Sequence, residues 1–504
     1  MKARKVQLRF LIFAMALAMC AVFTGAQEEP QPQQPDQPGQ QQPDQPGQQP
    51  PEQTPPDNSQ NNNPIYGPPK AAGYSFPGLY GPGEGELEAD FSPLTGFQNS
   101  TLGYPVIRHS YWVPGLQFSS NVTSTPYGGA TSGTDWSSYN YFMGNLSFLD
   151  AWSGGTFALN YSGGGFATAG TGTGTGFYQV LGLGQTFRTQ RWLFQIIDSF
   201  SQSPESAFGF GGGTGLGIPG TGGSLGTTIP GLGGNYTNNQ SVYGVGPYIS
   251  NTGAVQATYA LTRRSSITLA GSYGILHFTD PGNIDTNSTV ASIGYNYALS
   301  RADTIGIVYR YSSFQYPGSP QAYGDHVANL AYGRKLTGRL ALRLFAGPEL
   351  TLYRIPVGTS SRTLGFSASA AVTYGFQRGA FALGYSHGLY GGSGVLVGSV
   401  LDQATATFGR KLTRVWNGNI NFGYAHNSPV GGTGASGYPA YNNWFFGGGV
   451  GRPIGRDFNF AVAYTATVGN YGGYACTGPG CNSTNTYNTI TINLQWHPRP
   501  FVLD

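Results

Sequence analysis

The sequence has little charge, few sulfur-containing residues and no long hydrophobic run after its N-terminus. Only 9% of its 504 residues are Asp, Glu, Lys or Arg, against roughly a quarter in an average soluble domain. A cytosolic enzyme with so few surface charges would be poorly soluble. No later apolar stretch is long enough for a membrane-spanning helix, which excludes a helical membrane protein. A secreted β-rich protein and a β-barrel that lives in lipid remain.

The N-terminus carries a predicted export signal. Four basic residues precede an apolar stretch over residues 10–23, and small residues lead to Ala26. This order predicts a secretory signal peptide over residues 1–26, cleaved between Ala26 and Gln27. The alternative is a lipoprotein signal with Cys20 lipidated, although Met19 is bulky where a small residue is usual.

A Pro/Gln-rich segment follows over residues 27–69, with the octad QQPDQPGQ twice in tandem. It lacks the apolar residues needed to offset the entropy of ordering, so we expect a disordered linker. Two roles are open: an inert leader, or a tether through the periplasm that contacts the cell wall. Residues 70–110 are expected to form a lead-in segment that is either periplasmic or lumenal.

Charge is distributed unevenly. Residues 27–90 have a net charge of −9, and residues 91–504 have a net charge of +8. The positive charge is spread over more than 400 residues, too dilute for a nucleic-acid footprint. We therefore expect no nucleic-acid partner.

The chain repeats after residue 110. Arg-bearing turns lie near residues 263, 301, 338, 378, 414 and 456, about 36–42 residues apart, and a recurring spacing of that size indicates a repeat architecture. Each repeat contains two runs with two-residue alternation. In residues 290–299, Ile293 and Tyr295 share one face, opposite Ser292 and Asn296. Such alternation predicts strands with one apolar and one polar face.

Two long strands, one tight turn and one longer Gly/Asn/Ser-rich loop in each period are typical of a transmembrane barrel hairpin. A propeller blade of similar period would hold four short strands instead. The apolar face is expected to contact lipid, and the polar face is expected to line the lumen.

The sequence resembles bacterial outer-membrane β-barrels of the porin type. The matching features are the signal peptide, the amphipathic hairpins over residues 255–277 and 290–311, and a final strand whose apolar residues alternate with polar ones, with Trp496 or Phe501 as its terminal aromatic residue. The resemblance implies outer-membrane lipid as a partner and a last strand that the barrel-assembly machinery recognises. The tail after Trp496 departs from the usual ending. Trimers are common among porins, but no interface is evident here, so a homo-oligomer is left open.

The predicted fold class is all-β: an antiparallel up-and-down transmembrane β-barrel over residues 111–504, preceded by the disordered linker. A first strand over 111–121, hairpins turning near 151, 189 and the six turns above, and a last strand over 487–497 add up to about 18 strands, with 16 as the fallback. A barrel of that size encloses a lumen wide enough for water.

No catalytic, metal or cofactor site is predicted. The G-x-S-x-G matches at residues 222–226 and 384–388 lack the helix that a nucleophile elbow needs. The six histidines show no metal-ligand spacing. Cys476 and Cys481 enclose four residues, and in an exported chain we expect a disulfide between them, the alternative being two free thiols.

Basic residues gather at the predicted short turns, where they either solubilise turns near lipid headgroups or form a positive ring that favours anionic solutes. Arg310 and Arg343 lie on predicted lumen faces and are the candidate pore-lining residues.

We predict a passive diffusion channel for small hydrophilic solutes rather than an enzyme. The alternative is a structural or adhesive surface barrel, tethered by its linker and without a transport role. Lipid hydrolysis on the barrel surface is the least favoured function.

Overall fold

The computed structural model describes residues 94–96, 98–99, 110–126, 134–169, 174–203, 227–228, 248–279, 284–337, 339–354, 360–376, 378–391, 398–430, 440–471, 484–499 and 501–503. The predicted signal peptide with Cys20, Ala26 and Gln27, the linker, and the pair Cys476 and Cys481 lie outside these residues. Their assignments therefore stay predictions. In the described part of the chain, no helix is long and apolar enough to cross a membrane.

The described residues form strands and turns. Eighteen long strands build one sheet, and three two-residue strands accompany them. In chain order the strands are β1 (Gln98–Asn99), β2 (Tyr111–Pro126), β3 (Thr134–Trp152), β4 (Gly155–Ala169), β5 (Thr175–Arg188), β6 (Trp192–Ser203), β7 (Thr227–Thr228), β8 (Tyr248–Ala260), β9 (Ser265–Phe278), β10 (Thr286–Ala298), β11 (Asp303–Gln315), β12 (Ala322–Lys335), β13 (Leu340–Arg354), β14 (Ser360–Phe376), β15 (Gly379–Tyr390), β16 (Ser399–Lys411), β17 (Asn417–Pro429), β18 (Tyr441–Ile454), β19 (Phe458–Tyr471), β20 (Thr484–Trp496) and β21 (Phe501–Val502).

The sheet closes on itself into an antiparallel barrel. Each long strand pairs with its neighbour in sequence, and β2 pairs with β20 from Leu116 opposite Trp496 to Ser124 opposite Asn488. After Trp496 the chain returns to the same seam, where β21 pairs with the start of β2. Closure satisfies the edge hydrogen bonds that an open sheet would leave unpaired in lipid. The predicted 18 strands are confirmed, and the fallback of 16 is wrong.

Short and long connections alternate along the chain. Eight hairpins turn tightly at one end of the barrel, between β3 and β4 and then at every second connection. Their positions match the predicted turns, except that the first falls at residues 153–154 rather than near 151. The long strands have 12 to 19 residues. We call the two ends of the barrel the short-turn end and the loop end; in barrels of this type the short turns face the periplasm.

Side chains alternate between the two faces of the sheet as the sequence predicts. On β10, Ile293 and Tyr295 are exposed on the outer face, whereas Val290, Ser292 and Asn296 are buried on the inner face. Exposed apolar residues recur in this way on β2 to β6 and on β8 to β20. An exposed apolar band around a closed barrel is stable only against hydrocarbon. The chain is therefore a transmembrane β-barrel.

Candidate pore and its lining

The inner wall of the barrel is predominantly polar. On β17 the inward positions hold Asn419, Asn421 and Asn427, and the neighbouring strands add Asn443 and Asn493. Their carboxamides offer both donors and acceptors without net charge. The same face carries further uncharged polar side chains: Gln117, Ser119, Ser162, Ser250, Gln256, Thr258, Thr268, Ser272, Asn296, Ser312, Asn329, Ser386, Gln403, Asn459, Thr491 and Gln495.

These side chains are buried, although they line an 18-stranded barrel. Asn443 and Asn493 are each only 1% exposed. A bare inner wall at this strand number would be open to water. Among the described residues, Leu94–Gly96 covers part of this wall and lies against the inner faces of β8 to β13.

One group of charged residues lies on the inner wall, where three neighbouring strands place Arg310 (β11), Asp325 (β12) and Glu349 (β13) together. Arg310 Nη2 donates to Asp325 Oδ2 at 2.8 Å and lies 3.9 Å from Glu349 Oε1. Glu349 Oε1 also accepts a hydrogen bond from the backbone N–H of Leu389 at 3.0 Å. The three side chains are almost completely buried. We call them the charge trio; their formal charge sums to −1.

Apolar side chains cover the charge trio at the loop end. Phe314, Tyr316, Tyr323, Leu389 and Val430 form a buried cluster, and the backbone of Leu389 is the donor to Glu349. Because the three charged side chains are almost completely buried, the interactions within the trio act at a lower dielectric than in water. Charges buried together in this way need one another as partners, because removing one leaves the others uncompensated.

The two predicted pore-lining arginines occupy different places. Arg310 lies on the inner wall but is enclosed by carboxylates, and only 1% of it is exposed. Arg343 is partly exposed on β13, on the same face as Glu349 and opposite Gly333 and Ala371. Six residues of β13 separate it from Glu349, roughly 20 Å along the strand. Arg343 thus lies towards the short-turn end, and the two arginines do not form one site.

Aromatic side chains mark the outer face at the short-turn end. Trp192 packs on Tyr259 with ring centroids 4.6 Å apart, and Phe376 stacks on Phe408 at 5.6 Å. At the seam, Phe501 stacks on Trp112 at 4.7 Å. Such rings are favoured where hydrocarbon meets headgroups, because they combine apolar area with polar edges.

These aromatic residues form one belt on the outer face. A second belt lies on the outer face towards the loop end, where side chains of adjoining strands form polar pairs. Four of the six histidines belong to it, and each uses Nδ1 towards its partner. The contacts are His277 with Asp285 at 2.5 Å, His326 with Tyr309 at 2.7 Å, His387 with Asp402 at 2.7 Å, and His426 with Asn442 at 2.8 Å. His387 is eight residues above the start of β15, and about 3.3 Å per residue makes roughly 26 Å along a tilted strand. A strand tilt of about 40° reduces this length to a height of roughly 20 Å, so the two belts bracket an apolar band somewhat narrower than the ~25 Å of membrane barrels.

The histidine pairs were missed in the sequence because each joins two strands. Close spacing in the sequence reveals only partners on the same strand. These histidines and their partners are on adjacent strands, and the register between the two strands brings them together. The pairs are cross-strand contacts: no group of three or more His, Cys, Asp or Glu side chains able to hold a metal occurs among the described residues.

The G-x-S-x-G segment at residues 384–388 lies within β15. Ser386 is buried on the inner face, while His387 is on the outer face. A serine nucleophile needs its histidine within hydrogen-bond reach, and these two point to opposite sides of the wall. The second match, at residues 222–226, lies outside the described residues.

Neither a protein-family model nor a curated protein matches the chain. Among solved structures it is similar to OpdL of Pseudomonas aeruginosa, with a TM-score of 0.37 and 11% identity over 77% of this chain and 98% of OpdL. A BenF-like porin from Pseudomonas fluorescens Pf-5 gives a TM-score of 0.40 and 9% identity over 78% of this chain and 99% of that porin. At this similarity nothing about their solutes or residues transfers to this chain.

The geometry of the chain itself defines its class. A closed barrel with an even number of antiparallel strands, an apolar outer band between two belts and a polar inner wall is the architecture of outer-membrane proteins. This protein is an outer-membrane β-barrel whose apolar outer band contacts lipid.

Proposed function

We propose that the barrel is a passive diffusion channel for small hydrophilic solutes, and that neutral solutes such as sugars suit it best. The observation that supports this most is the carboxamide-rich inner wall of β16 to β20, where Gln403, Asn419, Asn421, Asn443 and Asn493 project inwards. Carboxamides exchange hydrogen bonds with hydroxyl groups without the cost of desolvating a full charge. A neutral polar wall therefore lets hydroxylated solutes pass without trapping them.

The positions of the arginines support weak rather than strong anion preference. Arg310 is matched by two carboxylates, so the trio contributes no positive field to the lumen. Arg343 and the arginines of the short turns remain near the predicted periplasmic mouth. Charges at a mouth bias the entry of ions.

The test is permeation by the purified full-length protein. In planar bilayers we expect stepwise conductance that scales with salt concentration. In liposomes we expect swelling by neutral sugars, at rates that fall as the sugars grow larger. A protein that inserts into lipid as a folded barrel, yet passes neither ions nor sugars, contradicts the proposal.

The alternative role, a structural or adhesive surface barrel, gains support from one observation: Leu94–Gly96 is docked on the inner wall. A barrel whose lumen stays blocked would be silent in bilayers. Whether this segment moves therefore separates the two functions, and that can be tested directly.

A further inference from the structure

A three-residue turn from the lead-in segment is docked inside the barrel. Leu94 and Thr95 are 7% and 1% exposed. The Thr95 backbone N–H donates to Asn296 Oδ1 at 3.0 Å, and Asn296 Nδ2 donates to Thr95 Oγ1 at 2.6 Å. This reciprocal pair uses both ends of one carboxamide and fixes the turn in a single orientation. We call Leu94–Gly96 the latch turn.

The inner wall is shaped to receive this turn. Three glycines face it from β10, β11 and β12, where other inner positions carry side chains. A Cβ added at Gly294 would overlap the Cβ of Thr95, one at Gly306 would lie 3.0 Å from Thr95 Cγ2, and one at Gly333 would lie 2.7 Å from Leu94 Cδ2. The absence of these three side chains creates a recess of the size of the latch turn.

Apolar packing and a second hydrogen-bonding layer complete the recess. Leu94 packs in a buried cluster with Ala331 and Phe345. Asn296 Nδ2 also lies 3.4 Å from Thr268 Oγ1 and 3.5 Å from Ser266 Oγ, so the carboxamide is oriented from behind. Specific polar contacts, apolar burial and steric fit therefore coincide at one place on the wall.

The recess lies near the short-turn end. Asn296 is two residues from the end of β10, and Gly333 is two residues from the end of β12. β2 also begins at this end, so the latch turn lies at the predicted periplasmic mouth.

Gln98–Asn99 pair with Thr227–Thr228, which belong to the long connection between β6 and β8. That connection leaves the barrel wall at the loop end, whereas residue 98 is at most about 7.6 Å from Gly96. The pairing therefore joins a segment from the loop end to one that lies at the short-turn end.

We propose that the latch turn is an intrachain gate: docked in the recess it narrows the lumen, and its release widens the pore. The recess is thus an interaction surface whose partner is this chain's own Leu94–Gly96. The proposal rests on the proposed channel function, so its test must separate the two.

The first test measures docking without any transport. The variant is Leu94→Cys/Gly333→Cys, with all three native cysteines replaced by Ser. A Cβ added at position 333 would lie 3.4 Å from the present Leu94 Cγ. That Cγ marks the approximate position of a cysteine sulfur at position 94. We expect a disulfide to form in the folded protein. Failure of this pair to form a disulfide, while the barrel folds, overturns the docking.

The second test measures gating in planar bilayers with full-length protein. Gly294→Ala and Asn296→Ala each disrupt the latch site, and we expect at least about a twofold rise in single-channel conductance over the wild type. The oxidised disulfide variant should conduct least, and reductant should restore it. The control is Gly365→Ala, an inner-face position opposite Glu349 where an added Cβ meets only ordinary contacts.

Each result decides one of the two proposals. If the wild type conducts and neither release variant exceeds it, the gate is overturned and the channel stands. If the disulfide forms but no variant conducts, even after reduction, the channel is overturned and the gating with it, while the docking stands. If Gly294→Ala and Asn296→Ala conduct more than the wild type and Gly365→Ala does not, the result supports both the channel and the gate.

Discussion

Two sectors of the inner wall differ sharply although they share one strand pattern. The sector from β8 to β13 carries the charge trio and the recess with its docked latch turn. The sector from β16 to β20 carries uncharged carboxamides such as Asn421, Asn443 and Asn493. The alternation of the strands is the same in both, so the difference comes from which residues occupy the inward positions. The first sector holds the docked latch turn, and the second presents an uncharged polar wall to the lumen.

The largest expected difference is in stability. Arg310→Ala leaves Asp325 and Glu349 buried without their cation, which costs about 3–5 kcal/mol when a buried pair is broken. Asn443→Ala, the control in the opposite sector, removes a neutral group and should cost about 1 kcal/mol. Urea unfolding of the barrels in detergent measures both. Equal losses would show that the two sectors are energetically alike.

The next expected effect is on ion selectivity. Arg310→Ala removes one positive charge and should lower the permeability of anions relative to cations, whereas Glu349→Gln removes a negative charge and should raise it. Reversal potentials under a salt gradient report both shifts. Two shifts of the same sign, or no shift, would show that permeating ions do not sense the charge of the trio.

A charge placed in the neutral sector sharpens the comparison. Asn421→Asp adds a carboxylate to the carboxamide wall and should favour cations. Because Asn421 is buried, the unpaired carboxylate should also lower the stability of the barrel. The same reversal-potential measurement applies, with Asn421→Gln as the neutral control. An aspartate there that changes nothing argues that solutes do not pass along this wall.

The smallest effect is expected at the mouth. Arg343 is partly exposed and opposite Gly333 at the edge of the recess, where solvent screens its charge. Arg343→Gln should reduce anion preference slightly at low salt and leave it unchanged at high salt. An effect that persists in high salt would show that Arg343 acts inside a narrow, poorly screened passage.

The fold could be predicted from the sequence because its signals are local. Alternation along each run indicates a strand, and the Arg-bearing turns indicate where hairpins reverse. Both depend on residues a few positions apart. These signals were enough for the strand number, for the faces and for the short-turn positions, with one turn displaced by about two residues.

The site could be predicted only in part because it depends on register. The inward position of Arg310 follows from alternation within β11, but its partners Asp325 and Glu349 come from two other strands. Which residues lie opposite one another depends on the stagger of the closed barrel. The latch turn has no periodic pattern at all, and its glycine recess appears only once β10, β11 and β12 are side by side.

The central claim is a closed wall with lipid outside and a polar interior, and β18 tests it most directly. Single cysteines at positions 443, 444, 445 and 446, labelled with an environment-sensitive fluorophore, can be quenched by brominated lipids in reconstituted vesicles. Trp444 and Phe446 face outwards, whereas Asn443 and Phe445 are buried on the inner face. We predict strong quenching at 444 and 446 and little at 443 and 445; uniform quenching, or the opposite alternation, would contradict the account.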